Sequence, residues 1–136
     1  MVAPAPYLHF DGTARAALEF YRAAFGGEVE VHTFAEFGRT DGEGDRVAHG
    51  GLRGPVDLFA ADTGEGEVGL LLRGMLLSLL GAADASVLTE WFTRLAEGGL
   101  VVEPLAPRPW GAHDGQVQDR FGVTWLIGYE GSAPHG

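Results

Sequence analysis

The feature that most restricts the fold of this chain is an internal echo. Glu19-Phe20-Tyr21 leads to Gly26-Gly27 and then to the valine-bearing stretch Glu28–Phe34. Glu90-Trp91-Phe92 leads to Gly98-Gly99 and then to Leu100-Val101-Val102. The offset is 71 or 72 residues in a chain of 136, close to half its length. Self-similarity at a fixed offset is the mark of a repeated supersecondary unit.

Local signals around each copy agree. Tyr7–Phe10 is β-prone and ends at Asp11-Gly12, after which Thr13 can cap a helix. Ala14, Leu18, Tyr21 and Phe25 fall on one helical face, and Gly26-Gly27 stops the helix. Glu28–Phe34 alternates polar and apolar as a half-buried strand does. After the polar loop Gly38–Asp45 come two β-like runs, Arg46–Arg53 and Val56–Ala60, joined at Gly54-Pro55. The second half repeats the order. Met75–Leu80 is an apolar run, and Asp84 or Ser86 can cap a helix whose face carries Val87, Trp91 and Leu95. Gly98-Gly99 precedes the strand Leu100–Val102, a Pro-rich loop, and the strands Gln116–Gln118 and Val123–Tyr129. The expected class is α+β, two βαβββ units at about 4–62 and about 74–130 within one domain over 1–136. Paired, they would curl eight strands of mixed sheet into a cup with the helices outside. An α+β sandwich without internal symmetry is the alternative.

Composition removes several chemistries. All 9 basic residues are Arg, and Cys is 0. Without Lys there is no Schiff base and no P-loop lysine. Without Cys there is no thiol nucleophile, thiolate metal site or disulfide. None of Ser78, Ser86 and Ser132 lies in a G-x-S-x-G elbow. A net charge of -10 with scattered arginines argues against nucleic acid and anionic membrane as partners. The longest apolar stretch, Val68–Ala82, is broken by Arg73 and too short to span a bilayer. Met1–Pro6 carries no secretory pattern. The expectation is a cytoplasmic protein.

Three stretches carry a resemblance. They are Pro6–Gly12 running into Ala17–Gly27; Val47-Ala48-His49 with Leu58–Asp62; and Leu95–Gly99, Pro109-Trp110-Gly111, Gly115 and Asp119–Trp125. With these the chain resembles the vicinal oxygen chelate (glyoxalase/bleomycin-resistance) superfamily, and within it the PhnB-like branch. The resemblance implies a homodimer and a small-molecule site on the concave side of the paired units. It also implies four metal-ligand positions, which land near Ala5, at Leu58 or Phe59, at Met75 and at Leu126. None of these binds a hard divalent ion. No metal and no cofactor are therefore expected.

Candidate ligand-binding residues are Tyr7, His9, His49, Asp57, Phe59, Trp110, His113 and Trp125. His9 and His49 sit in β-like runs, where an imidazole can bond a ligand or a backbone group. The PhnB-like branch implies an acidic residue near Gly51, and the glycine weakens a His–carboxylate base while leaving room. Asp57 interrupts an apolar strand and faces either solvent or a ligand. Trp110 beside Gly111 offers a flat wall, and His113-Asp114 can favour polar or cationic groups. Tyr7, Phe34 and Phe59 are further aromatic walls. Trp125 and Ile127 alternate with Thr124 and Leu126, so one pair lines the cleft and the other packs under a helix. Asp62 caps the loop after it, and Asp119 makes a turn with Phe121-Gly122. These residues suggest a metal-independent small-molecule-binding protein. The alternatives are a metal-dependent or His/Asp acid–base lyase, isomerase or dioxygenase, or an interaction protein without a ligand. No residue is assigned a catalytic role.

Overall fold

The computed structural model describes residues 4–131; Ser132 lies outside the described residues. The chain divides into two compact units with the boundary between Leu71 and Leu72. The first unit contains β1 (Tyr7–Phe10), α1 (Ala14–Phe25), β2 (Glu28–Thr33), β3 (Val47–Arg53) and β4 (Leu58–Asp62). The second contains β5 (Leu77–Leu80), α2 (Ala85–Leu95), β6 (Leu100–Pro107), β7 (His113–Gln118) and β8 (Thr124–Tyr129). The sheets run β1-β4-β3-β2 and β5-β8-β7-β6. In each, the first pair is parallel and the others antiparallel. Both units are therefore βαβββ, with one strand order. Among the described residues, no helix is long and apolar enough to cross a membrane.

The doubled glycines have a steric cause. Gly26 caps α1 at a positive φ of 87°, and Gly98, at 73°, closes the turn that follows α2 and its C-cap Ala96. The next residue in each unit then passes tightly against the end of the third strand. A Cβ at Gly27 would strike the carbonyl of Arg53, and one at Gly99 would strike the carbonyl of Gln118. Only glycine lets the chain leave the helix and start β2 or β6 at this spacing.

Each helix covers one face of its own sheet. The buried face of α1 holds Leu18, Tyr21 and Phe25 against Leu8, Phe10, Leu52 and Leu58. On α2 the buried set is Leu88, Trp91, Phe92 and Leu95. The expected Val87 is 37 % exposed instead, because a stripe at 88, 91, 92 and 95 follows the helical period more closely. This face meets Val117, Trp125 and Ile127. β6 also runs to Pro107, through what the prolines mark as a loop; its pairing with β7 is irregular after Val101 and Glu103.

Two buried carboxylates tie strand ends to their surroundings. Thr13 makes no side-chain cap to α1. Asp62 takes that place, accepting from the Ala14 N–H at 2.9 Å and from the Val47 N–H at 2.9 Å. A carboxylate at a helix N-terminus also meets the positive end of the helix dipole. Asp119 accepts from the backbone N–H of Phe121 and Val123 and from the Trp125 indole N–H, at 2.8, 3.2 and 2.9 Å. It is 3 % exposed. Asp119→Ala orphans these donors in a dry site, so we expect a loss of about 3 kcal/mol in urea unfolding. A loss below about 1 kcal/mol would show that water reaches them.

Candidate functional site

Four of the expected residues meet on the face of the first sheet turned away from α1. Register sets Tyr7 and Gly51 beside Phe59, and strand alternation adds His9 and His49 to that face. The Tyr7 and Phe59 rings stack with centroids 6.0 Å apart, and those of His49 and Phe59 5.7 Å apart. His9 meets the Tyr7 ring edge-on at 5.3 Å. The Tyr7 hydroxyl lies 2.8 Å from His49 Nδ1. Burial pushes the Tyr7 phenol above its ordinary pKa, so it keeps its proton. With the phenol donating to Nδ1, the neutral imidazole carries its proton on Nε2.

A recess of about 660 Å³ opens beside this cluster, lined by residues of α1, β2, β3 and β4 that include His49, Gly51, Arg53 and Phe59. His49, Gly51 and Arg53 are alternate residues of β3, so they form one row on the open face. A Cβ at Gly51 would stand 3.1 Å from the Phe59 ring. Glycine therefore leaves that ring bare toward the recess. The site thus gains two residues absent from the expected set, Gly51 and Arg53. Gly51 had a signal, its departure from the branch pattern; Arg53 had none before its strand parity was known.

Charges on the rim are mostly matched. Arg22 and Glu19 pair at 2.7 Å on the helix surface. Glu30 reaches His32 Nε2 at 2.8 Å, and Glu36 reaches His32 Nδ1 at 3.1 Å. His32 also stacks on Phe37 at 5.7 Å.

The other expected residues lie elsewhere. Asp57 precedes β4, is exposed, and accepts from the Gly54 N–H at 3.0 Å. It closes the turn before the strand and does not interrupt the strand. Trp125 is 1 % exposed, with its indole N–H on Asp119. The pair Trp125 and Ile127 is the one under the helix, and Thr124 and Leu126 face away. Trp110, 73 % exposed, stands on a turn of the second unit. His113 stacks on Tyr129 at 4.9 Å, and its Nδ1 is buried without a partner among the described residues. Trp110 and His113 border a separate recess of about 340 Å³. Asp114 is neutralised by Arg108 Nε at 2.7 Å, which weakens its appeal to a cation.

The positions implied as metal ligands do not fit a divalent ion. Phe59 faces the recess and Leu58 the core, while Ala5, Met75 and Leu126 bring no nitrogen or oxygen donor in their side chains. Among the described residues, no three His, Asp or Glu gather to hold an ion.

The profile of the Glyoxalase/Bleomycin resistance protein/Dioxygenase superfamily matches residues 5–127, and the chain belongs to that superfamily. Among solved structures it is similar to protein PA1353 from Pseudomonas aeruginosa. That likeness has a TM-score of 0.77 and 32% identity, over 97% of this chain and 100% of that one. A PhnB protein from Bacillus cereus aligns with a TM-score of 0.76 at 20% identity, over 96% of this chain and 100% of that one. The bleomycin-binding protein of Streptomyces verticillus, solved with copper(II)-bleomycin, shares the fold. Its TM-score is 0.53 at 16% identity, over 97% of each chain. No match was found among curated proteins.

The glutamates hold the His32 pKa above its ordinary 6.5, Glu30 contributing most and Glu36 next, through hydrogen bonds. A raised pKa in the folded state stabilises below about 6.5, and that contribution fades as pH rises through the raised value. Imidazole titration by NMR is expected to give His32 a pKa above 6.5. In the Glu30→Gln, Glu36→Gln double variant it falls back toward that figure.

Proposed function

We propose that this protein binds a small organic molecule without a metal, on the open face of its first sheet. The observation that carries this is the bare Phe59 ring, set among Tyr7, His9 and His49 beside the recess. A recess of about 660 Å³ is in the size range of small-molecule pockets. The bleomycin-binding protein offers a parallel, since the same fold there holds copper(II)-bleomycin. The donor-poor set Ala5, Phe59, Met75 and Leu126 supports binding without a protein-held ion.

Chelator-treated protein, with and without reloaded Ni, Zn or Mn, is titrated by calorimetry against a panel of aromatic metabolites. Equal affinity with and without metal is expected. In Phe59→Ala the loss is about tenfold, the worth of one good aromatic contact. Binding that requires stoichiometric metal would reverse the reading.

A second reading, a lyase or isomerase with His49 as base, is favoured by the Tyr7–His49 hydrogen bond. Against it, no carboxylate bonds to His49 among the described residues, so the imidazole has no anionic partner to strengthen it as a base.

The reading includes a homodimer in the cytoplasm. Leu80, on one edge strand of the second sheet, and Leu100 and Val102, on the other, are 55%, 61% and 48% exposed in the single chain, apolar side chains that a second copy would cover. Sedimentation is expected to give twice 14.4 kDa; a monomer at micromolar concentration would contradict it.

A further inference from the structure

We propose that the recess on the first sheet takes planar organic anions, flat aromatic or unsaturated carboxylates, with Arg53 as the anchor; this rests on the binding reading above. The chain has 9 arginines against 19 acidic residues. With that excess, an acid without a cationic partner is the ordinary case, and an arginine without an acceptor is the exception. The guanidiniums of Arg22, Arg39, Arg46, Arg94 and Arg108 hold carboxylates. Those of Arg15 and Arg120 hold backbone carbonyls. Among the described residues, only the guanidiniums of Arg53 and Arg73 have neither an ion pair nor a hydrogen bond. Arg73 stands in the segment between β4 and β5, whereas Arg53 is on the wall of the recess.

The surroundings leave Arg53 available. Glu28 is its cross-strand neighbour, yet the two form no ion pair. Glu19 is held by Arg22 and Glu30 by His32, so both are partly neutralised. Arg53 and His49 lie four residues apart on one face, about 13 Å along the strand. Gly51 stands between them without a side chain, above the Phe59 ring. A flat ring can lie on Phe59 across that gap with its carboxylate against Arg53. The guanidinium fork suits a carboxylate, offering two parallel N–H donors. His49 Nε2–H remains as a donor for a second acceptor on the ligand.

The test is calorimetric titration with three probes of one shape: 2-naphthoate, its neutral amide 2-naphthamide, and 2-naphthylmethylammonium. The unaltered protein is expected to bind naphthoate about three- to tenfold more tightly than the amide, as an exposed charge pair allows. The cation should bind weakest. In Arg53→Gln the advantage of naphthoate over the amide is lost. Arg53→Lys recovers part of the difference. Phe59→Ala weakens naphthoate and amide alike, which reports on the binding face and not on its charge preference. Equal binding of naphthoate and amide overturns the anion assignment while leaving the binding reading in force. So does tighter binding of the cation, or a carboxylate preference that survives Arg53→Gln. Failure of all three probes to bind at millimolar concentration also overturns the assignment; the metabolite panel then decides the binding reading separately.

Discussion

Two close backbone approaches organise this molecule, Gly27 on the carbonyl of Arg53 and Gly99 on that of Gln118. Each is where a helix hands over to a strand. The contact fixes how near β2 or β6 starts to the end of its partner strand, and so sets the register of the pair. In the first unit that register is Glu28 opposite Arg53, Glu30 opposite Gly51 and His32 opposite His49. Shift it by one residue and the row His49, Gly51, Arg53 would be met by the apolar set Val29 and Val31. The recess, its bare ring and its guanidinium all follow from a steric limit that no side chain can satisfy.

Much of the fold was legible because its signals are local. The helical face of Ala14, Leu18, Tyr21 and Phe25 is buried in the structure, and Gly26 caps α1, while α2 is capped at Ala96, two residues before its glycine pair. What stayed hidden depends on distant partners. Asp62 looked like a cap for its own loop, but its carboxylate serves Ala14, 48 residues away, and Val47. On α2 the expected Trp91 and Leu95 are buried, while the first turn buries Leu88 in place of Val87; the two are equally apolar and only packing separates them. β6 continues through prolines because an irregular pairing with β7 tolerates missing donors.

The site divides along the same line. Tyr7, His9, His49 and Phe59 came together because they share strand parity on paired strands, which alternation and topology imply jointly. Asp57 and Trp125 stand apart from them for two different reasons. A strand boundary moved by two residues put Asp57 in a turn, and a buried acceptor at Asp119 drew the Trp125 indole into the core. Arg53 carried no signal in the sequence. Its distinction is the lack of a partner, and that is visible only once the other arginines have been matched to theirs.

The same pair of glycine contacts also indexes one repeat against the other. If Arg53 corresponds to Gln118, then Gly51 corresponds to Gln116, His49 to Asp114 and, through the β-ladders, Phe59 to Leu126 and Tyr7 to Ser78. Two halves that keep one topology have thus parted in their exposed chemistry. The first face shows rings, a gap and a cation; the second fills the gap with glutamine and shows no ring at these positions. One topology, used twice, thus carries two unlike faces. The conserved geometry sits in the glycines, where change is sterically barred, and the divergence sits in the alternate residues of β3 and β7, where the backbone is indifferent to what it carries.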